Sequence, residues 1–277
     1  MTVRVREFTD PACPVAFSAE PVHLRIAWLY ADHLTREQVM VVLSDGTRTS
    51  GGPPERIAAA RRRRFALYGM PVDPQASAAA AGTLEASRLV VAARLTQPAM
   101  ERPLLRRLRI HAMAGRGLDR ASVEALAADA PTAVSAMDSP AVSDALAADM
   151  AAARDVSAAG MALRHRLGGG GSRYSTPSYR YEAAGRVFEL VGIHPTEAHE
   201  AVLANLAPHL ARRPDPESAS EVLAWAGRPL ATAEVAGVMR MTLGDTRRRL
   251  SEVATFVPSG LDGYWQAPGW ASGDNDR

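Results

Sequence analysis

Among the 277 residues, one side chain combines nucleophilic chemistry with a setting that would use it: Cys13, the only cysteine. It lies in Thr9-Asp10-Pro11-Ala12-Cys13-Pro14, a turn with proline placed for the first turn of a helix. A cysteine there faces unpaired backbone N–H groups and the positive end of the helix dipole. Such settings lower a thiol pKa from about 8.5 to between roughly 3.5 and 7.5. Cys13 is therefore expected to be a nucleophile at neutral pH. A single thiol excludes an internal disulfide, and the bland alternative is a small buried hydrophobe. Thr9 and Asp10 could tune the thiolate or move a proton, with turn capping as the competing role for Asp10.

Other residues offer less. The seven histidines show no metal-ligand spacing, and nothing ties His165 to Cys13. No P-loop and no G-x-G-x-x-G occurs, and Gly168 to Gly171 reads as a loop. Tyr174, Tyr179 and Tyr181 flank a Thr176-Pro177 pair and could line a pocket or pack a core.

Elements must place these residues. Val3 to Phe8 alternates and is β-branched, a strand; apolar positions from Val15 to about His33 recur at helical spacing; Gln38 to Leu43 reads as a second strand. Strand, helix and strand in this order make a parallel βαβ unit. Helical segments follow at Glu55 to Tyr68, Ala76 to Thr96, Ala99 to Ala114, Arg120 to Ala128 and Ala141 to about Leu167, the last with a break allowed at Asp155-Val156-Ser157. Ser178 to Glu182 and Arg186 to Val191 flank a hairpin turn, and a helix runs from Pro195 to about Leu210. Arg212 to Pro216 is a polar linker and a candidate domain boundary. Beyond it come helices over Glu217 to Ala226, from Thr232 as cap to Met239, and from Thr242 as cap, then a Phe256 to Trp265 wing.

The βαβ start, the helical insertion and the hairpin-helix finish resemble the DsbA and FrnE branch of the thioredoxin superfamily, over roughly residues 3 to 210. In that family a cysteine follows the first strand, within Cys-Pro-x-Cys. Asp10-Pro11-Ala12-Cys13-Pro14-Val15-Ala16-Phe17 keeps the first cysteine and proline, and Ala16 replaces the second cysteine. Ser175-Thr176-Pro177-Ser178 fits the family's cis-proline loop, which faces the cysteine. The resemblance implies an α/β thioredoxin fold over residues 1–211 with a large α-helical insertion, about 53–167. The tail, 216–267, resembles a small winged-helix-like module. Cys13 is then the catalytic residue, with Asp10, Pro14, Thr9, Thr176, Pro177 and Tyr179 lining or supporting the site.

Without a second sulfur the dithiol reaction of the family is unavailable within the chain. Three readings remain. The thiolate could add reversibly to an electron-poor double bond, allowing cis–trans isomerisation, and the related 2-hydroxychromene-2-carboxylate isomerases and kappa-class glutathione transferases show that the fold hosts non-redox work. It could exchange with a small thiol such as mycothiol, as monothiol glutaredoxins do. Or the chain is a non-catalytic binding or regulatory protein. The first reading requires no cofactor and takes an acyl substrate, free or on an acyl carrier protein.

Composition sets limits. Hydrophobic residues make up 47% and charged residues 22%, the profile of a folded domain. No apolar run reaches the roughly 18 residues of a membrane span, and the N-terminus lacks a signal-peptide core, so a cytoplasmic protein without membrane contact is expected. All 32 basic residues are arginine, which suggests a GC-rich bacterial gene, and the net charge is +2. DNA binding is not expected of the tail, whose Arg247, Arg248 and Arg249 point in different directions and share the module with acids. A homodimer is left open. The densest basic run, Arg61 to Arg64, reads as a solvated face or a dock for an acidic partner.

Overall fold

The computed structural model describes residues 2–46, 53–75, 82–166 and 171–269. Strand β1 (Val3–Thr9) leads through the cysteine turn into the short helix α1 (Pro14–Ser18), then α2 (Glu20–Tyr30) and β2 (Leu34–Met40). The expected single helix is thus broken at Ala19, with Pro21 opening the second piece. Strand β2 starts four residues earlier than expected and ends at Met40, because Leu34 to Met40 pairs in parallel with all of β1.

Helices α3 (Pro54–Tyr68), α4 (Leu84–Thr96), α5 (Glu101–Met113), α6 (Arg120–Leu126), α7 (Pro131–Ala136) and α8 (Pro140–Arg154) form the insertion. Residues 76–81 of the helix expected from Ala76 lie outside the described residues; α4 itself begins at Leu84, with Thr83 at its N-cap position. Helix α8 stops at Arg154 rather than near Leu167. A 3-10 turn and a small antiparallel pair, β3 (His165–Arg166) and β4 (Ser172–Arg173), replace its end, and His165 is a strand residue. The Gly168 to Gly170 part of the glycine run lies outside the described residues.

Hairpin β5 (Ser178–Ala183) and β6 (Arg186–Val191) completes a four-stranded sheet in the order β2-β1-β5-β6, β1 pairing antiparallel with β5. Its two-residue turn takes positive φ at Ala184 and Gly185, the mirror-image turn that matches strand twist. Helix α9 (Thr196–Leu206) returns over the sheet. The tail holds α10 (Ala219–Ala226), β7 (Leu230–Ala231), α11 (Thr232–Met239), α12 (Leu243–Val253), β8 (Thr255–Ser259) and β9 (Asp262–Gln266), the strands ordered β7-β9-β8. Thr242 caps α12 by accepting the Asp245 N–H, but the cap position of α11 is Ala231, and the Thr232 hydroxyl instead accepts from the Trp265 indole at 2.9 Å.

The pleat divides the sheet's side chains between two cores. Val3, Val5, Tyr179 and Tyr181 face α2, α9 and the tail, in one apolar cluster with Leu203, Val222, Leu223, Val235, Val238 and Trp265. Phe8, Val39, Val41 and Val191 face the other side with Tyr174 and Ala153. The insertion helices keep a third core around Leu89, Leu104, Leu108 and Met137.

The tail is therefore packed, not tethered. Gly237 is where α11 meets α2: a Cβ there would stand 3.1 Å from the Pro21 carbonyl oxygen. Arg212 to Pro216 is pinned as well. The Trp28 indole donates to the Pro214 carbonyl at 2.8 Å, Arg25 pairs with Asp215 at 2.6 Å, and the Arg213 guanidinium lies 3.6 Å above the Trp28 ring.

Candidate functional site

Cys13 is the N-cap of α1, extended at φ −73°, with Pro14 in the first turn. Its Sγ accepts the Ala16 N–H at 3.4 Å and lies 3.0 Å from Thr176 Oγ1. Thr176 comes from the loop ahead of β5, where the Thr176–Pro177 bond is cis. The structure thus joins two segments 163 positions apart, which is the arrangement the sequence anticipates for Cys13, Pro14, Thr176 and Pro177. Ala16, at the position of the missing second thiol, is fully buried, and Cys13 is the free cysteine.

The electrostatics differ from expectation. Burial pushes the Cys13 thiol above its ordinary pKa; the hydrogen bonds from Thr176, Ala16 and Val15 act against that, and the Asp10 carboxylate adds to it. Two physical facts explain the reversal. Cys13 is 4% exposed, so a thiolate would lose nearly all its hydration. Helix α1 has five residues, too few to build the dipole that a long helix offers. The resting group is a thiol, and whatever reacts with it must help remove its proton.

Asp10 is structural. Its Oδ1 accepts the Ala12 N–H at 2.8 Å, and Oδ2 accepts from Leu43 N–H at 2.8 Å and the Thr83 hydroxyl at 2.7 Å. Val42, a β-branched residue at φ 53°, turns the chain leaving β2 so that Leu43 reaches that carboxylate. Asp10 is fully buried and its pKa is raised, chiefly by desolvation. The cysteine turn is thereby tied to β2 and to the start of α4.

Thr9 points into a second buried group. The Arg109 guanidinium donates to Thr9 Oγ1, pairs with Glu20, and pairs with Glu7 at 3.1 Å. Desolvation works to raise Glu20, but the positive charges of Arg109, His23, Arg106 and Arg228 together outweigh it and hold the carboxyl down to about 2. This cluster anchors α5 under the end of β1 and sets where the cysteine turn begins.

Tyr179 does not line the cysteine site. Its hydroxyl meets His23 Nε2 at 2.6 Å, and its ring closes a cavity of about 20 Å³ on the tail-facing side of the sheet, with Glu7, Arg36 and His199. Tyr181 bonds His199, and Tyr174 stacks on Phe8 with centroids 4.3 Å apart. All three tyrosines are core residues, since hairpin pleating sends Tyr179 and Tyr181 to one face and the loop buries Tyr174.

Arg173 was not legible. It sits on β4, three residues before Thr176, half-buried, and its positive charge feels both Cys13 and Asp10. Thr83 was missed for the same reason: partners of this kind come from loops whose approach no local spacing encodes. Among the described residues no cluster of His, Cys, Asp and Glu could hold a metal ion, and no helix is long and apolar enough to cross a membrane.

Comparison with known proteins places the fold. No family model and no curated protein matches the sequence. Solved structures do match in shape. A protein described as a "putative protein disulfide isomerase" from Nitrosomonas europaea superposes at TM-score 0.59 with 18% identity, covering 76% of this chain and 100% of its own. The cytosolic disulfide reductase DsbM of Pseudomonas aeruginosa does so at 0.53 with 16% identity, covering 73% and 97%. A "probable DsbA oxidoreductase" of Streptomyces coelicolor gives 0.54 with 18% identity, covering 76% and 92%. The chain has the DsbA-like thioredoxin fold with a helical insertion.

Proposed function

We propose that Cys13 performs reversible covalent catalysis without net redox change, isomerising a conjugated double bond in an acyl thioester from cis to trans or back. One observation carries this reading: the lone sulfur faces Thr176 Oγ1 at 3.0 Å beside the cis-proline loop, with buried Ala16 where a resolving thiol would stand. A disulfide cannot be passed on from within this chain, whereas addition and elimination need one sulfur.

The step balances with a resting thiol. Sγ bonds to the electron-poor alkene carbon while the thiol proton passes to the enolate oxygen that forms. The former double bond is now single and rotates. Collapse of the enol expels the sulfur, which regains its proton. The Thr176 hydroxyl accepts from the thiol and donates to the sulfur as charge develops, so one group serves both protonation states. Arg173 offsets negative charge at the same place.

The second reading is monothiol exchange with a small thiol such as mycothiol. It is favoured by the solved complex of DsbM "with GSH", whose chain superposes at TM-score 0.51 and 16% identity. One experiment separates the two. The purified protein is incubated with polyunsaturated acyl thioesters, without added thiol or reductant, and the cis/trans ratio is followed. Turnover that vanishes in Cys13→Ala and Cys13→Ser supports isomerisation. Turnover seen only as mixed-disulfide reduction, and only with the small thiol present, supports exchange. Neither activity would mean a binding protein.

A further inference from the structure

Helix α3 is the least buried long helix of the fold: over Pro54–Tyr68 only Ala58 is buried, and five arginines stand against one glutamate. Its inner side is short. Phe65 packs against an apolar cluster that holds Phe17, Met70 and Met113, and Arg61 donates to the Asp73 carbonyl at 2.8 Å. Phe17 lies on α1, the helix that Cys13 caps, so the cluster under α3 includes a residue of the element that carries the nucleophile.

The outer side is a regular stripe. Arg56, Ala60, Arg63 and Leu67 follow the i, i+4, i+7, i+11 spacing of one helix face, and all four are exposed, Leu67 by 65%. Arg62 is exposed beside them and Arg64 partly so. Among the described residues the side chains of Arg56, Arg62, Arg63 and Arg64 have no ion-pair partner. Many other arginines do: Arg247 and Arg248 on α12 are paired with Asp262 and Asp245. Unpaired charge concentrated on a chain of net charge +2 is a local feature, not a consequence of a basic protein.

We infer that this stripe is the docking face for an acidic protein helix, and that the helix belongs to the carrier protein presenting the acyl thioester. The inference rests on the isomerase reading for the identity of the partner. The stripe alternates charge with an apolar position and spans about 16 Å, from Arg56 to Leu67 at 1.5 Å per residue. That suits one helix with carboxylates flanking an apolar seam, and steering by such charge acts on encounter and register. It does not suit duplex DNA, which asks for a broader basic surface. Docking along α3 brings the carrier to the apolar cluster under Phe65, which also holds Phe17 of the helix whose N-cap is the sulfur.

The test uses the full chain and its Arg56→Glu/Arg63→Glu variant, with thermal melting to check that the variant is folded. Each is assayed with the same unsaturated acyl group on an acidic holo-acyl carrier protein and on a free pantetheine thioester. The expected result is a KM for the carrier-bound substrate raised about tenfold, with kcat and the kinetics of the free thioester unchanged. Wild-type KM for the carrier-bound substrate should also rise with salt. Leu67→Ser should raise the same KM by a factor that does not change with salt, since it leaves the arginines in place. An unchanged carrier KM in the charge-reversed variant, with isomerisation intact, overturns the docking face and leaves the reaction standing. If no isomerisation occurs at all, titration of the acyl carrier protein against both chains still decides: binding lost on charge reversal upholds the face, and no binding by wild type overturns it. Arginine-dependent binding to duplex DNA or to phosphatidylserine vesicles in place of the carrier overturns it as well.

Discussion

Cys13 Sγ and Thr176 Oγ1 stand 3.0 Å apart, one at the cap of α1 and the other in the cis-proline loop. A hydroxyl can accept from a thiol or donate to a thiolate, so this contact lowers the cost of charging a sulfur that is almost fully buried. Thr176→Val keeps the shape and removes that capacity. Its Cys13 should be alkylated by iodoacetamide about tenfold more slowly at pH 7.5 than in wild type, while Thr176→Ser stays within about twofold, a tenfold change being about 1.4 kcal/mol. Equal rates in all three proteins would show that the hydroxyl does nothing for the sulfur.

The raised thiol pKa has its own signature. Alkylation of Cys13 should still be rising with pH beyond the point where a small free thiol has levelled off, because burial delays ionisation. Arg173 opposes that delay from β4. Arg173→Gln should move the alkylation profile further toward alkali, with circular dichroism unchanged. A profile that levels below pH 7 would contradict the electrostatics described above.

Much of this was legible in the sequence, and what was not has a common cause. The β1–α1 turn follows from local signals: a β-branched alternating run, a turn, and proline in a first helical turn. The parallel β1–β2 pair followed from order, although register moved β2 to Leu34, since only pairing with Val3 fixes its start. The pKa of Cys13 was misjudged because a local pattern gives the helix position but not burial, and burial is set by the insertion and loop packed around it. Tyr179 was misplaced by one step of the pleat. The pinning of Arg213 on Trp28, and of the tail on α2, joins elements some 190 positions apart.

That shared core predicts that the tail unfolds together with the rest of the chain. Arg106 on α5 pairs with Glu234 on α11 at 2.5 Å, Glu234 being fully buried, and also donates to the Pro229 carbonyl at 3.0 Å. Removing one partner leaves an uncompensated buried charge, costing about 3–5 kcal/mol. Glu234→Ala should therefore lower the unfolding midpoint of the whole protein, and calorimetry should show one transition in both proteins. A separate early transition, with the rest unchanged, would make the tail an independent domain.

Two of the groups through which stability depends on pH act with opposite sign. Burial raises Glu101 to about 7 and leaves its Oε1 without a hydrogen-bond partner, with Asp149 nearby adding to the shift and Arg94 opposing it. Its folded pKa lies above the unfolded value of about 4.3, so its contribution is present below about pH 4.3 and is lost as pH rises through 7. Burial lowers His199 to about 3, so that group contributes above its unfolded value of about 6.5 and is lost as pH falls toward 3. Between about pH 4.5 and 6.5 the two slopes cancel; above that window Glu101 alone still weakens the fold until pH passes 7. Glu101→Gln removes this loss, since an amide has no charge to desolvate. The variant should match wild type near pH 4.5 and exceed it by about 1–2 kcal/mol at pH 8, allowing for solvent screening. Urea melts at the two pH values measure the difference, and a gain of equal size at both would show that Glu101 acts through packing rather than through its charge.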